Sequence, residues 1–169
     1  MSWNVAGLRN KLIDKDWLSF VDSFDILCLQ ETWQTTVTES AIPGFGHLHK
    51  LAKKKPHGRA SGGIATYIRA ALLLKYEEIK IKNRHMICTA LTHTKKCKCL
   101  VINIYIPGQP ESAHRVITDL IQCLNTHYTP PNMMNSHSSL LIMGDFNTHL
   151  CPKLCPYFSL TEHDAEIDT

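Results

Sequence analysis

Apolar positions along this chain switch between two periods, and the switches outline the elements. Residues 2–5 read as the end of a strand that starts at the N-terminus. Residues 11–21 place Leu12, Trp17, Leu18 and Val21 at helical spacing, with Asp14, Lys15 and Asp16 turned to water, which predicts a helix. Ile26-Leu27-Cys28-Leu29-Gln30 is a short apolar run of buried-strand type. Pro43, Gly44 and Gly46 punctuate the loop that follows, and residues 53–61 form a basic, polar loop. Strands are predicted at residues 62–68, 72–81, 86–92 and 99–106, the last being the richest in β-formers. Pro107-Gly108-Gln109-Pro110 stops it. Val116, Leu120, Ile121 and Leu124 make one stripe of a helix over residues 112–126, and residues 129–138 read as a polar loop. Leu140-Leu141-Ile142-Met143 is a last strand running into Gly144-Asp145.

Several consecutive strands without intervening helices argue against a doubly wound parallel sheet. They favour an α/β (α+β) fold of mainly antiparallel sheets packed face to face, with helices outside. The 169 residues, 44% of them hydrophobic, are enough for one domain with a real core, and no linker or repeat divides the chain.

Charge changes this picture little. The formal net charge is +3, which does not by itself point to nucleic acid. The acids Glu162, Asp164, Glu166 and Asp168 stand in a final stretch without Lys or Arg. A basic body with an acidic tail favours a polyanionic partner, and ordinary charge scatter explains it about as well. Seven cysteines, an odd and scattered set, do not make a disulfide framework. Cys28, Cys88 and Cys123 lie in apolar segments and are expected to be buried. Cys97, Cys99, Cys151 and Cys155 are not spaced as in the common zinc fingers. There is no apolar run of about 18 residues and no leader-like start, so a nuclear or cytoplasmic protein is expected, neither secreted nor membrane-spanning.

Chemistry gathers at strand ends. Asn4 follows the first strand, Gln30 and Glu31 the second; Asn103 and Tyr105 lie in and at the end of residues 99–106; Asp145 and Asn147 follow residues 140–143. A rim of strand ends and loops is a usual place for an active site. Taken singly, each has a plainer explanation. Asn4 fits a turn, Glu31 a turn cap, and Tyr105 a ring packed on a sheet. Asp145-Phe146-Asn147 is harder to dismiss, because an acid and an amide two apart lie on one side of an extended segment.

Together and in order the clusters carry a resemblance. Ser2-Trp3-Asn4-Val5 with Gly7-Leu8-Arg9, Leu29-Gln30-Glu31-Thr32-Trp33, Ser61-Gly62-Gly63-Ile64-Ala65, Asn103 and Tyr105 with Pro107, and Gly144-Asp145-Phe146-Asn147 look like successive motifs of the endonuclease/exonuclease/phosphatase family. The likeness spans residues 2 to about 150, and within the family it is nearest to the apurinic-endonuclease-like domain of non-LTR retrotransposons. It implies a four-layer sandwich of two mainly antiparallel sheets flanked by helices. It also implies metal-dependent hydrolysis of a phosphodiester, most simply a nick in DNA. Glu31 matches the metal-binding carboxylate, with Mg²⁺ (or Mn²⁺) as the expected ion. Asn4 matches the residue that helps hold the metal site and bonds neighbouring acids. Tyr105 matches the phosphate-contacting tyrosine, Asp145 the acid that orients or deprotonates water, and Asn147 the donor that stabilises the pentacovalent phosphate. Lys53, Lys54, Lys55 and Arg59, with Lys50 and His57 beside them, fit a path for a DNA backbone, although a solvated charge run fits equally. Trp33 is read as core rather than contact, and His149 as a surface histidine.

Two departures stand out. Ala6 occupies a position where some family members carry an acid. The family's late Ser-Asp motif and Asp-His pair have no match before Thr169, and Glu162-His163-Asp164 comes too soon to supply them. The resemblance therefore implies a single domain over 1–169 that lacks its C-terminal part and has an incomplete second sheet. Poor solubility and weak or absent nicking are expected of it. Two other functions stay open: a phosphatase or phosphodiesterase acting on a small molecule or lipid headgroup, and a non-catalytic remnant.

Overall fold

Strands of opposite faces need covering on both sides, and the chain meets that need with two stacked sheets and an outer helix layer on each. The structure, a computed structural model, describes residues 1–37, 40–94, 97–128 and 137–147. The first sheet runs β1 (Ser2–Asn4), β2 (Ile26–Gln30), β4 (Ile64–Arg69), β3 (Phe45–Lys50) in spatial order. The second runs β5 (Lys75–Ile79), β6 (Met86–Thr94), β7 (Cys97–Tyr105), β8 (His137–Asp145). In each sheet one pairing is parallel, β1 with β2 and β7 with β8, and the others are antiparallel.

The alternation of β2 shows how the layers stack. Leu27 and Leu29 face outward and pack with Ala65 and Tyr67 against Leu8 of α1 (Leu8–Lys11) and Trp17 and Val21 of α2 (Lys15–Val21). Cys28, on the opposite face, packs between the sheets with Ile68, Leu91 and Val101. On the far side, Val116 and Cys123 of α3 (Pro110–His127) cover Met86, Cys88, Ile102 and Ile104. The result is the expected four-layer sandwich. Among the described residues no helix is long and apolar enough to cross a membrane.

Four local expectations need correction. The helix predicted over residues 11–21 begins only at Lys15, because Asp14 caps it, accepting from the backbone N–H of Asp16 at 3.0 Å and of Trp17 at 3.1 Å, and a separate short helix, Leu8–Lys11, precedes it. The predicted loop around Gly46 contains β3, whose Phe45, His47 and His49 rings lie against Tyr67. Gly46 belongs there because a Cβ would strike the Tyr76 side chain. The strand predicted over residues 72–81 starts only at Lys75, since Ala70–Leu72 forms a 3₁₀ turn closed by Leu73 at φ +51°. β8 begins at His137 and reaches Asp145, and residues 129–136 of the predicted polar loop lie outside the described residues.

Candidate functional site

The two parallel pairings set the site. Parallel pairing brings the C-terminal ends of neighbouring strands to one edge, and the registers Asn4↔Gln30 and Tyr105↔Asp145 do so in both sheets. The sheets meet there: Asn4 Nδ2 donates to Asp145 Oδ2 at 2.7 Å, joining residues 141 positions apart. Asn4 Oδ1 accepts from the Ala6 N–H at 3.2 Å, which fixes the amide's orientation.

Gly144 allows the strand to deliver the acid. It pairs with Ile104, and a Cβ on it would collide with the Ile104 carbonyl. Asp145 then folds back on its own loop, its Oδ1 accepting from the Asn147 N–H at 3.0 Å. Asn147 sits at φ +44°, a left-handed conformation that asparagine tolerates better than most residues. Its side-chain Nδ2 donates to the Ile106 carbonyl at 3.0 Å. Asp145 and Asn147 are therefore a built turn, held on both sides.

Glu31 leaves β2 at φ +53°. Its Oε2 accepts from Trp33 Nε1 at 2.7 Å and from the Gly62 N–H at 3.0 Å, and its backbone carbonyl accepts from the Gly7 N–H at 2.8 Å. The first three sequence motifs thus converge on Glu31, the second and third on its carboxylate and the first on its backbone. Tyr105 stands between the two acids. Its hydroxyl has side-chain hydrogen bonds with Glu31 and Asn147 and feels the charge of Asp145. Burial, then the bond and charge of Glu31, then the charge of Asp145 push the phenol up to about 12, and Asn147 opposes them.

A cleft of about 290 Å³ opens beside these groups, lined by Glu31, Gly62, Arg84, His85, Tyr105 and Gln109 among others. Arg84 and His85 were not expected from the sequence. They precede β6 in a turn, where a basic pair after Asn83 is the only local signal. The His85 ring lies 5.7 Å from that of Tyr105. Its pKa is lowered by burial and by Arg84, with Glu31 acting the other way.

The structure brings Asn4, Glu31, Tyr105, Asp145 and Asn147 together as a cluster. Lys53, Lys54, Lys55 and Arg59 lie on an exposed loop whose base, the Lys53–Ser61 bridge, abuts Gly62 and so the Glu31 carboxylate. Lys50 does not belong with them. It is on β3, donates to the Ile81 carbonyl at 2.7 Å and the Asn83 carbonyl at 2.8 Å, and lies 4.0 Å from Glu78. Trp33 is half-buried at the site rather than in the core, with the Arg59 guanidinium 4.1 Å from its ring centroid. Cys28, Cys88 and Cys123 are buried, as expected. Cys151, Cys155, His149 and Glu162-His163-Asp164 lie outside the described residues.

The donor set fits a hard divalent cation. Glu31, Asp145 and Asn4 offer only oxygen ligands on this rim, and among the described residues neither acid is paired with a Lys or Arg. No group of three or more His, Cys, Asp or Glu side chains forms a full cage among the described residues. Mg²⁺ suits such a place, since it is held by one or two carboxylates and completed by waters and substrate phosphate.

A four-layer sandwich with acids and amides at the rim where a parallel strand pair of each sheet ends defines the class of the protein: an α/β sandwich with its polar site built jointly by both sheets. The chain belongs to the endonuclease/exonuclease/phosphatase family, whose profile matches residues 1–154. No curated protein matches it. Similar solved structures include an AP endonuclease from Leishmania major (TM-score 0.65, 19% identity, 85% of this chain and 53% of that one). The endonuclease domain of TRAS1, a telomere-specific non-LTR retrotransposon, gives TM-score 0.57 at 13% identity over 88% of this chain and 60% of that one. An AP endonuclease from Archaeoglobus fulgidus gives 0.58 at 20% over 91% and 62%. At these identities the likeness concerns the fold. The chain spans between 53% and 62% of the length of these three structures.

Proposed function

We propose that the rim cluster hydrolyses phosphodiester bonds of DNA, nicking one strand as a retrotransposon-type endonuclease does, with Mg²⁺ or Mn²⁺ held at Glu31 and Asn4. One observation carries the reading: Asp145, gripped by Asn4 and by the Asn147 N–H, and Glu31, gripped by Trp33 and Gly62, flank a single protonated tyrosine.

Each group then has a task. Asp145, oriented on both oxygens, aligns and deprotonates the attacking water. Tyr105 keeps its proton and donates a hydrogen bond to a phosphate oxygen, fixing the line of attack. Asn147, at the left-handed turn, presents its amide to the charge that grows on the phosphorus oxygens. Arg84 adds a cation on the cleft wall. The bound metal supplies charge neutralisation of the phosphate and leaving oxygen. Lys53, Lys54, Lys55 and Arg59 follow the DNA backbone by charge. The names of the similar structures support DNA as substrate: AP endonucleases, a retrotransposon endonuclease domain, and a Neisseria 3′ phosphatase bound to a product DNA hairpin.

The test is the conversion of supercoiled plasmid to the nicked form with and without Mg²⁺. Metal-dependent nicking that disappears in Asp145→Ala supports the proposal. Equal nicking by Asp145→Ala overturns it. Plasmid binding without nicking favours the remnant reading, and hydrolysis of a phosphoinositide with plasmid untouched favours the headgroup reading.

A further inference from the structure

We propose that Trp33 is a positioning residue, holding the Glu31 carboxylate in one orientation by a neutral hydrogen bond so that its charge stays available to a hard cation. The inference rests on reading Glu31 as the metal-binding acid.

Glu31 needs such a hold because of where it stands. It is the first residue past β2, already at φ +53°, and so outside the ladder that would otherwise fix its direction. Trp33 is left-handed too, at φ +56°. Both conformations are uncommon for non-glycine residues. Here they turn the chain so that the indole two residues on reaches back to its own acid, Nε1 to Oε2 at 2.7 Å. The backbone is pinned in that turn: the Thr32 N–H donates to the Gly63 carbonyl at 3.1 Å and the Trp33 N–H to the Gly62 carbonyl at 3.0 Å.

The ring is seated as deliberately as the backbone. A Cβ on Gly7 would lie 2.6 Å from Trp33 Cε3, and Gly7 is also at φ +107°, so glycine alone fits beside the indole. The Arg59 guanidinium stacks on the ring at 4.1 Å. Stacking on the indole restricts the ring and keeps water from one of its faces. Core packing does not explain the indole, because Trp33 stands outside all three apolar clusters.

The chemistry of the donors points the same way. Both groups on Oε2, the indole N–H and the Gly62 N–H, are uncharged. A lysine or arginine in their place would orient the carboxylate but neutralise it, and would compete with a cation. Two neutral donors on one oxygen orient the group and leave its full charge for the metal. Groups that orient a metal ligand in this way typically change metal affinity by about 10- to 100-fold when removed.

The experiment uses Mn²⁺ as probe, with free ion counted by electron paramagnetic resonance, on the wild-type chain, Glu31→Gln, Trp33→Phe and Trp33→His. Circular dichroism and thermal melting establish that each variant folds. Trp33→Phe keeps a ring and loses the N–H, and we expect its Mn²⁺ dissociation constant to rise about tenfold. Trp33→His restores a neutral N–H donor and recovers part of the loss. An unchanged Mn²⁺ affinity in folded Trp33→Phe, with Glu31→Gln impaired, overturns the role of Trp33 alone. An unchanged affinity in Glu31→Gln overturns the metal reading beneath it. Should Trp33→Phe not fold, tryptophan emission of the wild-type chain decides. Saturating Mg²⁺ on Glu31 shifts the emission of the indole bonded to it, a change absent in Glu31→Gln, and no shift in the wild-type chain overturns the proposal.

Discussion

Gln30 Nε2 donates to Asn103 Oδ1 at 2.8 Å across the gap between the two sheets, and both side chains are fully buried. Gln30 also donates to the Cys28 carbonyl of its own sheet at 2.8 Å, and Asn103 Nδ2 donates across the same gap to the Ala65 carbonyl at 2.8 Å. A polar link inside an apolar gap specifies how the sheets register. Gln30 pairs with Asn4, and Asn103 lies two residues before Tyr105, so the same link aligns the two halves of the site. Asn103→Leu leaves Gln30 and the Ala65 carbonyl short of partners. It is expected to destabilise the chain by about 2 kcal/mol, with a lower urea midpoint. The double variant Gln30→Leu/Asn103→Leu removes both amides and is expected to recover most of that loss.

Tyr105 titrates far from the working range of the site. Its pKa is raised to about 12 from a usual 10, so the folded state holds the proton more tightly than the unfolded one. The resulting stability is fully present below pH 10 and is lost as the pH rises from 10 through about 12. The phenol therefore remains a donor throughout neutral pH, and nicking is expected to show no alkaline loss from Tyr105 below pH 10. Tyr105→Phe is expected to lower the nicking rate about 100-fold. The difference in tyrosinate absorbance between wild type and Tyr105→Phe, titrated between pH 9 and 13, checks the assignment.

The loop cations and Lys50 separate cleanly by assay. Replacing Lys53, Lys54 and Lys55 with Ala removes up to three phosphate neutralisations. The slope of log affinity against log salt on a short duplex should then fall by up to about 2.7, with stability unchanged. Fluorescence anisotropy over a salt series measures it. Lys50→Ala is expected to do the reverse, lowering the melting temperature with little change in salt slope, because its ammonium is spent on the Ile81 and Asn83 carbonyls.

What the sequence made readable follows from how local each signal is. β2 and β7 are runs of apolar and β-branched residues buried on both faces, so pattern alone finds them. The acid and amide of Asp145 and Asn147 were legible because a two-residue turn after Gly144 encodes them locally. β3 was not, because histidines and a phenylalanine replace aliphatics on the face it shares with Tyr67, and Gly46 imitates a turn while making room for Tyr76. The break between α1 and α2 was hidden by apolar spacing that runs on through Asp14. Lys50 sits in a run of cations, and only strand pairing shows that it turns inward. Arg84 and His85 join the cleft through contacts across the fold, which a basic pair after Asn83 does not by itself reveal.

His49 makes acid stability a readout of β3. Its ring lies 4.5 Å from that of His47 and 5.6 Å from that of Tyr67, and its Nε2 is buried without a hydrogen-bond partner. Burial first, and the charge of His47 second, lower its pKa to about 4 from 6.5. A depressed folded pKa means that the unfolded chain takes up the proton first as the pH falls. The stability tied to neutral His49 is thus intact above pH 6.5 and is lost on descending from 6.5 through about 4. His49→Gln, which cannot protonate, is expected to flatten the fall in urea midpoint between pH 7 and pH 4.5, although it starts lower at pH 7. The ring is partly open to solvent, so the difference should be on the order of 1 kcal/mol rather than the full value implied by the shift. If wild type and His49→Gln lose stability in parallel over that interval, the strand is not held by a neutral histidine and another group sets its acid limit.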